Sequence, residues 1–154
     1  MRKLLVISVL LFSLTALADT APNNPADEVS KHYAATPNLY DLDNSAAEQL
    51  SDKITRQYVM GSESMLVKWT LKKGAVIPKH IHKNEQITWI TKGSVKVLSQ
   101  GKEYIVKAGG VFIIPPFVPH EFTALEDTID MDFFTPVRED WLNGTAGYIQ
   151  AIKK

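Results

Sequence analysis

The segment GAVIPKHIHKNEQITWITKG, residues 74–93, carries the pattern that decides the fold of this chain. His80 and His82 are two positions apart, and residues at i and i+2 of a strand point to the same face. We therefore expect their two imidazoles to lie side by side, where both can bind one ion. A metal site needs at least one more ligand. Gln86, four positions after His82, and His120, which follows a proline-rich run, are the natural suppliers.

The number of histidines favours this interpretation. The chain has four histidines, and three of them belong to this constellation. Single histidines are usually surface or core residues, and a pair at i and i+2 also fits an exposed strand face. Because imidazoles close to an amide or carboxylate are what divalent metals need, we favour a metal site. His32, in a polar N-terminal stretch, is expected to be structural or exposed.

The first 18 residues have the pattern of a secretory signal peptide. Arg2 and Lys3 precede an apolar run over residues 4–17, and Ala16-Leu17-Ala18 is a small-x-small cleavage site. The run is too short to span a bilayer, which needs ~20 residues. Because the chain has no cysteine, neither a lipid anchor nor a disulfide is expected. The sequence predicts an exported protein, periplasmic or secreted, that begins at Asp19.

Length and charge indicate a single domain and argue against two classes of partner. We expect residues 19–44 to form an N-terminal arm or linker and residues 45–154 to form the folded domain. Without Arg2 and Lys3 the balance is 15 basic against 17 acidic residues. This balance argues against nucleic acid or an anionic membrane as a partner.

The pattern after residue 44 predicts an all-β domain. Ser45-Ala46-Ala47-Glu48 has the form of a capping box and predicts a short helix over residues 45–53. Near the C-terminus, Thr135-Pro136 predicts the start of a short helix and Gly144 its end. Between them, short alternating segments separated by turn residues are typical of a sandwich or barrel. The predicted strands are residues 63–72, 86–91, 94–99, 103–106, 111–114, 120–125 and 128–134.

Two motifs resemble the cupin superfamily. The spacing Gly74-x5-His80-x-His82-x3-Gln86-x6-Gly93 resembles its first signature, and Gly109-x5-Pro115-x4-His120 resembles its second. Together the motifs and the strands between them span about residues 74–124. The resemblance implies a cupin-type double-stranded β-helix, which is a jelly-roll barrel. It also implies a ligand set at the barrel mouth, made of His80, His82, Gln86 and His120.

Gln86 departs from the usual cupin pattern, which has glutamate at this position. Strand alternation sends the neighbouring Glu85 to the opposite face, so Gln86 is the better candidate. A neutral ligand leaves the full charge of a divalent ion, which favours Lewis-acid chemistry and anion binding. We expect Zn, Mn or Ni, with Fe as a further candidate.

The tail resembles a narrower group of small cupins from pectin and alginate breakdown. The resemblance lies in LEDT, residues 125–128, and DMDFFTPVREDWL, residues 130–142. Those cupins linearise 4,5-unsaturated monouronates to open-chain keto acids. Their Asp-x-Phe-x3-Arg run matches Asp132, Phe134 and Arg138. The resemblance implies that Asp132 acts as a general acid or base, Phe134 packs against the sugar ring, and Arg138 forks onto the substrate carboxylate.

Two other functions fit the same residues. One is a metal-dependent dioxygenase, which would need redox-active iron with open positions. The other is a non-catalytic periplasmic protein that binds a small acid or a metal, which export would favour. The resemblance to cupins also implies a homodimer by strand exchange, to which the N-terminal arm could contribute.

Overall fold

A computed structural model describes residues 37–153. The predicted signal peptide and the first part of the predicted arm lie outside these residues, so both stay predictions. Ten strands form two antiparallel sheets of the jelly-roll type, and this confirms the all-β barrel. The strands are β1 Glu48–Gln49, β2 Ile54–Met60, β3 Met65–Leu71, β4 Val76–His80, β5 Glu85–Lys92, β6 Ser94–Ser99, β7 Lys102–Lys107, β8 Val111–Ile114, β9 His120–Ala124 and β10 Thr128–Thr135.

The two sheets place the strands of the first motif opposite each other. The six-stranded sheet has the order β1-β2-β3-β10-β5-β8, and the four-stranded sheet has the order β4-β9-β6-β7. All seven predicted strands are present, as β3 and β5 to β10. The sequence analysis did not predict β1, β2 or the bounds of β4. Because β4 ends at His80, His82 lies in the loop before β5 and not on the strand that was expected to carry both histidines.

The helix predicted over residues 45–53 is wrong. This segment contains the two-residue strand β1, which pairs with β2. The Ser45 hydroxyl donates to the Leu42 carbonyl and does not cap a helix. Gln57 Nε2 donates to the carbonyls of Leu42 and Ser45 at 2.7 and 2.9 Å. Glu48, the other half of the expected capping box, pairs with Arg56 at 2.8 Å. Partners from β2 therefore override the local helix signal.

Two short helices follow β10, which is one more than expected. They are α1, Glu139–Leu142, and α2, Gly147–Ile152. The predicted start is wrong, because Thr135 is the last residue of β10 and α1 begins after Arg138. Gly144 follows α1 with a positive φ of 74°, which agrees with the predicted helix end. Within residues 37–153, no helix has the length and apolar character needed to cross a membrane.

Strand β10 brings polar groups into the barrel interior. It lies between β3 and β5 in the larger sheet, so alternate side chains point to one face. Thr128, Asp130, Asp132 and Phe134 are all buried on that face. Trp69 of β3 is also buried and lies opposite Asp130 in the register. The inward face of β10 thus carries a pair of carboxyl groups below the histidines.

Candidate metal centre

Three histidines meet at one end of the barrel. His80 ends β4 and His120 begins β9, and the two residues are register partners in the smaller sheet. His82 follows from the adjoining loop. One ring nitrogen from each histidine lies within 4.8 Å of the others. The structure therefore brings together the three imidazoles that the sequence singled out.

The second ring nitrogen of each histidine contacts a backbone carbonyl oxygen. A carbonyl oxygen can only accept a hydrogen bond, so Nδ1 carries the proton in all three rings. Each Nε2 is then left with a free lone pair. This is the outer-sphere arrangement that orients histidine ligands around a metal. The Nδ1-to-oxygen distances are 2.8 Å for His80 to Pro78, 3.0 Å for His82 to Asn84 and 2.8 Å for His120 to Val118.

Gln86 presents its carbonyl oxygen to the same cluster. Its Nε2 donates to Thr88 Oγ1 at 2.9 Å and to Asp132 Oδ1 at 3.0 Å, which fixes the amide orientation. Its Oε1 consequently faces His82 Nε2 at 3.1 Å. With the proton on Nδ1 of His82, two lone pairs face each other at this distance. A cation between them would relieve that repulsion, so the donor set fits a divalent ion.

The unpartnered nitrogen of His120 supports the same conclusion. His120 is buried, and its Nε2 has no hydrogen-bond partner among residues 37–153. Buried polar atoms without a partner are rare in native proteins and call for an explanation such as an ion. As strand alternation predicted, Gln86 is buried and Glu85 is exposed. The amide and not the carboxylate therefore faces the histidines.

Burial keeps the imidazoles in the neutral form that binds metals. Burial, with a smaller effect of the charge of His120, lowers the pKa of His80 to about 3. Burial and then the Arg138 guanidinium lower the pKa of His82 to about 4. Burial also lowers the pKa of His120. Because a metal competes with protons for these nitrogens, neutral rings favour binding at neutral pH.

Asp132 lies beneath Gln86 and holds it in place. Its carboxylate accepts hydrogen bonds from Gln86, from Thr88 Oγ1 at 2.5 Å and from Trp69 Nε1 at 2.9 Å. Burial raises the pKa of Asp132 to about 6, although these three donors oppose the shift. Burial and the charge of Asp132 raise the pKa of Asp130 well above its usual range. The pair is thus biased to hold one proton inside the barrel.

Arg138 is fully buried, at 0 % exposure. Its Nε and Nη2 donate to the two carboxylate oxygens of Asp140 at 2.9 and 2.7 Å, so the fork expected for a substrate is occupied by Asp140. Its Nη1 is buried without a hydrogen-bond partner in the part of the chain that the structure describes. The guanidinium lies over the rings of Phe134 and Trp141, at 5.0 and 4.4 Å. A substrate contact through Nη1 stays a prediction.

Two cavities adjoin the histidines. An open cleft of about 520 Å³ lies between the β4–β5 loop and the C-terminal helices, and its lining includes His80, His82 and Tyr148. This volume is typical of small-molecule sites. An inner cavity of about 10 Å³ is lined by Asp132, Phe134 and Arg138, together with His80 and Tyr148. It has room for about one water, so a substrate would have to approach from the cleft.

The sequence analysis missed the residues that close the site from the C-terminal side. Tyr148 of α2 stacks on His80, with ring centroids 3.9 Å apart. Trp141 of α1 contacts two guanidinium groups, because Arg56 and Arg138 each lie 4.4 Å from its ring. Trp141 lies at the end of the tail segment 130–142, and Tyr148 follows the last recognisable motif. The only signal in the sequence was one aromatic residue in each helix, in EDWL and in GYIQAI. Which groups these residues contact depends on tertiary structure.

Comparison with known proteins identifies the fold. A family model described as Cupin domain matches residues 67–136. The pectin degradation protein KdgF of Dickeya dadantii (strain 3937) is 31% identical over 103 residues, which cover 65% of this chain and 94% of KdgF. The chain therefore belongs to the cupin family.

Solved structures agree with this assignment. KdgF from Halomonas sp. has a TM-score of 0.63 and 27% identity, covering 68% of this chain and 99% of that one. An RmlC-like cupin from Shewanella frigidimarina NCIMB 400 has a TM-score of 0.64 and 28% identity, covering 69% and 96%. Within the cupins, the chain is thus similar to KdgF proteins, and the resemblance to pectin-degradation cupins is confirmed.

Proposed function

We propose that this protein is a metal-dependent cupin that linearises 4,5-unsaturated monouronates from pectin or alginate breakdown. One observation carries the proposal: Asp132, Phe134 and Arg138 surround the same inner cavity as His80 and Gln86. The similarity to the pectin degradation protein of Dickeya dadantii supports the substrate class. The proposed ligands are His80, His82, Gln86 and His120.

Linearisation is an isomerisation in which no atom is lost. The C1 hydroxyl of the ring form gives up a proton, and the bond between C1 and the ring oxygen breaks. The electron pair of that bond passes to the enol oxygen, and the enol carbon then takes up a proton to form the keto acid. The reaction needs one group to accept a proton and one to donate it. A bound divalent ion would supply Lewis acidity at a substrate oxygen.

Protein groups around the inner cavity have the properties that these steps require. Asp132 has a pKa raised by burial to about 6, which suits proton exchange near neutral pH. Arg138 lines the inner cavity and not the cleft, so its free Nη1 would reach the substrate carboxylate through a water in that cavity. Phe134, buried beside the guanidinium, is an apolar wall that keeps the inner cavity small. The proton would reach Asp132 through a water in the inner cavity.

The direct test follows the absorbance of an unsaturated monouronate on addition of enzyme. We expect metal-loaded protein to abolish the absorbance of the conjugated double bond faster than chelator-treated protein does. Asp132→Asn should keep its metal and lose turnover by about 100-fold, because general acid–base groups contribute at least that much. Loss of turnover in Asp132→Asn without loss of metal separates proton transfer from the support of Gln86. No absorbance change with metal-loaded wild type would refute the proposal.

The hydrogen bonding favours one second candidate, a non-catalytic protein that binds a small acid or a metal. Arg138 and Asp132 direct most of their polar atoms to Asp140, Gln86, Thr88 and Trp69. Such internal pairing is also what a rigid binding site would have. Calorimetric binding of saturated uronates without any turnover of unsaturated ones would favour this candidate.

The compartment, the ion and the oligomer belong to the same proposal. We expect export with cleavage after Ala18, so mass spectrometry of protein from its native host should show Asp19 as the first residue. An intact N-terminus in a cytoplasmic fraction would contradict this.

We expect Zn, Mn or Ni, and Fe with oxygen uptake would instead point to a dioxygenase. A homodimer is expected, and light scattering after gel filtration measures it.

A further inference from the structure

We propose that Tyr148 is a positioning residue of the metal centre, holding the His80 imidazole in its ligating orientation. The proposal concerns a residue outside both cupin motifs and rests on the metal site of the proposed function. It starts from one contact: the Tyr148 and His80 rings are 3.9 Å apart and only 17° from parallel. Among the aromatic pairs within residues 37–153, no other is so nearly parallel.

His80 is restrained on its remaining sides. Its Nδ1 donates to the Pro78 carbonyl at 2.8 Å, and the His120 ring meets it edge-on at 4.2 Å. The hydrogen bond restrains Nδ1 alone, so the plane of the imidazole ring could still tilt. The face-to-face contact with Tyr148 opposes that motion. The phenol ring thus completes the restraint that directs Nε2 toward the other histidines.

Tyr148 is itself held rigidly. Its oxygen accepts hydrogen bonds from Trp141 Nε1 at 2.8 Å and from Arg138 Nη2 at 3.2 Å. The helix α2 that carries it packs against β4, the strand that ends at His80. A rigidly held ring is suited to orient the imidazole that stacks on it.

The stacked pair also separates the two cavities. His80 and Tyr148 are the residues that the outer cleft and the inner cavity have in common. The open cleft lies on one side of the pair, and Asp132 and Arg138 lie on the other. Removing the phenol ring would therefore loosen a ligand and join the inner cavity to solvent. Both effects weaken metal binding.

The experiment compares three variants by zinc affinity, measured in competition with a chromophoric chelator. Tyr148→Leu removes the ring and should weaken zinc binding by about tenfold, in the range seen when outer-sphere partners of a ligand are lost. Tyr148→Phe loses the two hydrogen bonds to the phenol oxygen but keeps the ring, which α2 still packs against β4, and it should bind zinc within about twofold of wild type. Tyr104→Leu is the matched control, because Tyr104 packs on Phe112 with centroids 5.0 Å apart and takes no part in the cluster. It should also stay within about twofold.

Cobalt(II) supplies a second readout that is independent of turnover. The visible absorption of the cobalt-loaded protein reports ligand geometry, and it should change in Tyr148→Leu and stay unchanged in Tyr148→Phe. If Tyr148→Leu does not fold, Tyr148→Met replaces it with a side chain of similar length. Wild-type zinc affinity in the folded non-aromatic variant would overturn the inference. An equal loss in Tyr148→Phe would do the same. If wild type bound none of zinc, manganese and nickel, that result would instead refute the proposed function.

Discussion

Replacing Gln86 with glutamate, the usual cupin ligand, should make the metal-free protein sensitive to pH. The change turns Gln86 Nε2 into a carboxylate oxygen at the position where the amide now donates to Asp132 Oδ1 at 3.0 Å. Two unit charges at 3.0 Å repel by about 5 kcal/mol at an effective dielectric constant of about 20. Two buried carboxylates at this distance avoid the repulsion by sharing one proton, which raises the pKa of the pair in the folded state.

The sign of the pH dependence follows from that raised pKa. The folded variant holds a proton that the unfolded chain releases above pH ~4, so the folded state is favoured at low pH. Relative to wild type, Gln86→Glu should be nearly as stable at about pH 4 and should lose up to about 5 kcal/mol as the pH rises through the folded pKa. A substitution that only loosened the packing would not make the variant more stable in acid than in alkali.

The assay is urea unfolding of chelator-treated protein at acidic and alkaline pH, followed by tryptophan fluorescence. Gln150→Glu is the control, because Gln150 is exposed and the same change of charge there should cost little. Equal stability of Gln86→Glu and wild type at alkaline pH would refute the reasoning. It would mean that the Gln86 side chain does not face Asp132.

Removal of individual ligands should lower the metal content to different extents. His82→Ala and His120→Ala should lose the ion, and Gln86→Ala should weaken binding less, because an amide oxygen is a poorer ligand than imidazole for these metals; elemental analysis showing equal metal in all of them contradicts the assignment. Arg138→Ala should lower the free energy of unfolding by about 3 kcal/mol, because it removes the ion-pair partner of Asp140 and leaves space beside buried aromatic rings. Urea unfolding measures this, and a loss below about 1 kcal/mol would show that the pair is not structural.

The barrel was predictable because its strands show in the local pattern. Period-two alternation and turn glycines mark β5 to β10. In β10 every second residue is buried, and the residues between them are half-buried or exposed. Gly93 illustrates the turn signal, since its φ is 80° and an added Cβ would lie 2.5 Å from the Asp127 carbonyl oxygen. Only glycine fits there without a shift of the backbone.

The segment before β2 was not predictable from local pattern. The capping-box residues Ser45 and Glu48 bond to Leu42 and Arg56 instead. The first contact is a local turn, and the second requires β2 as a partner. Propensity is a weak signal when tertiary partners compete for the same polar groups. Strand β4 was missed for a different reason. It has five residues with a proline at the centre, and proline is a poor signal for a strand.

The residues of the proposed metal site were predictable, and the contacts that support them were not. His80, His82, Gln86 and His120 follow from motif spacing, and the structure brings these four residues together. The pairing of Arg138 with Asp140 lies in the tail motif but did not follow from it, and the stacking of Tyr148 on His80 involves a helix that follows every motif. Such contacts depend on how the C-terminal segment packs on the barrel, which the spacing of residues along the chain does not reveal.

The central claim is that four side chains from three parts of the barrel bind one divalent ion. A crystal structure of zinc-loaded protein, with anomalous scattering measured at the zinc edge, tests it most directly. The account predicts one ion bonded to Nε2 of His80, His82 and His120 at about 2.0–2.1 Å and to Oε1 of Gln86. An ion bound through Nδ1 atoms, an ion at a carboxylate outside the cluster, or no anomalous peak among the three histidines would contradict it.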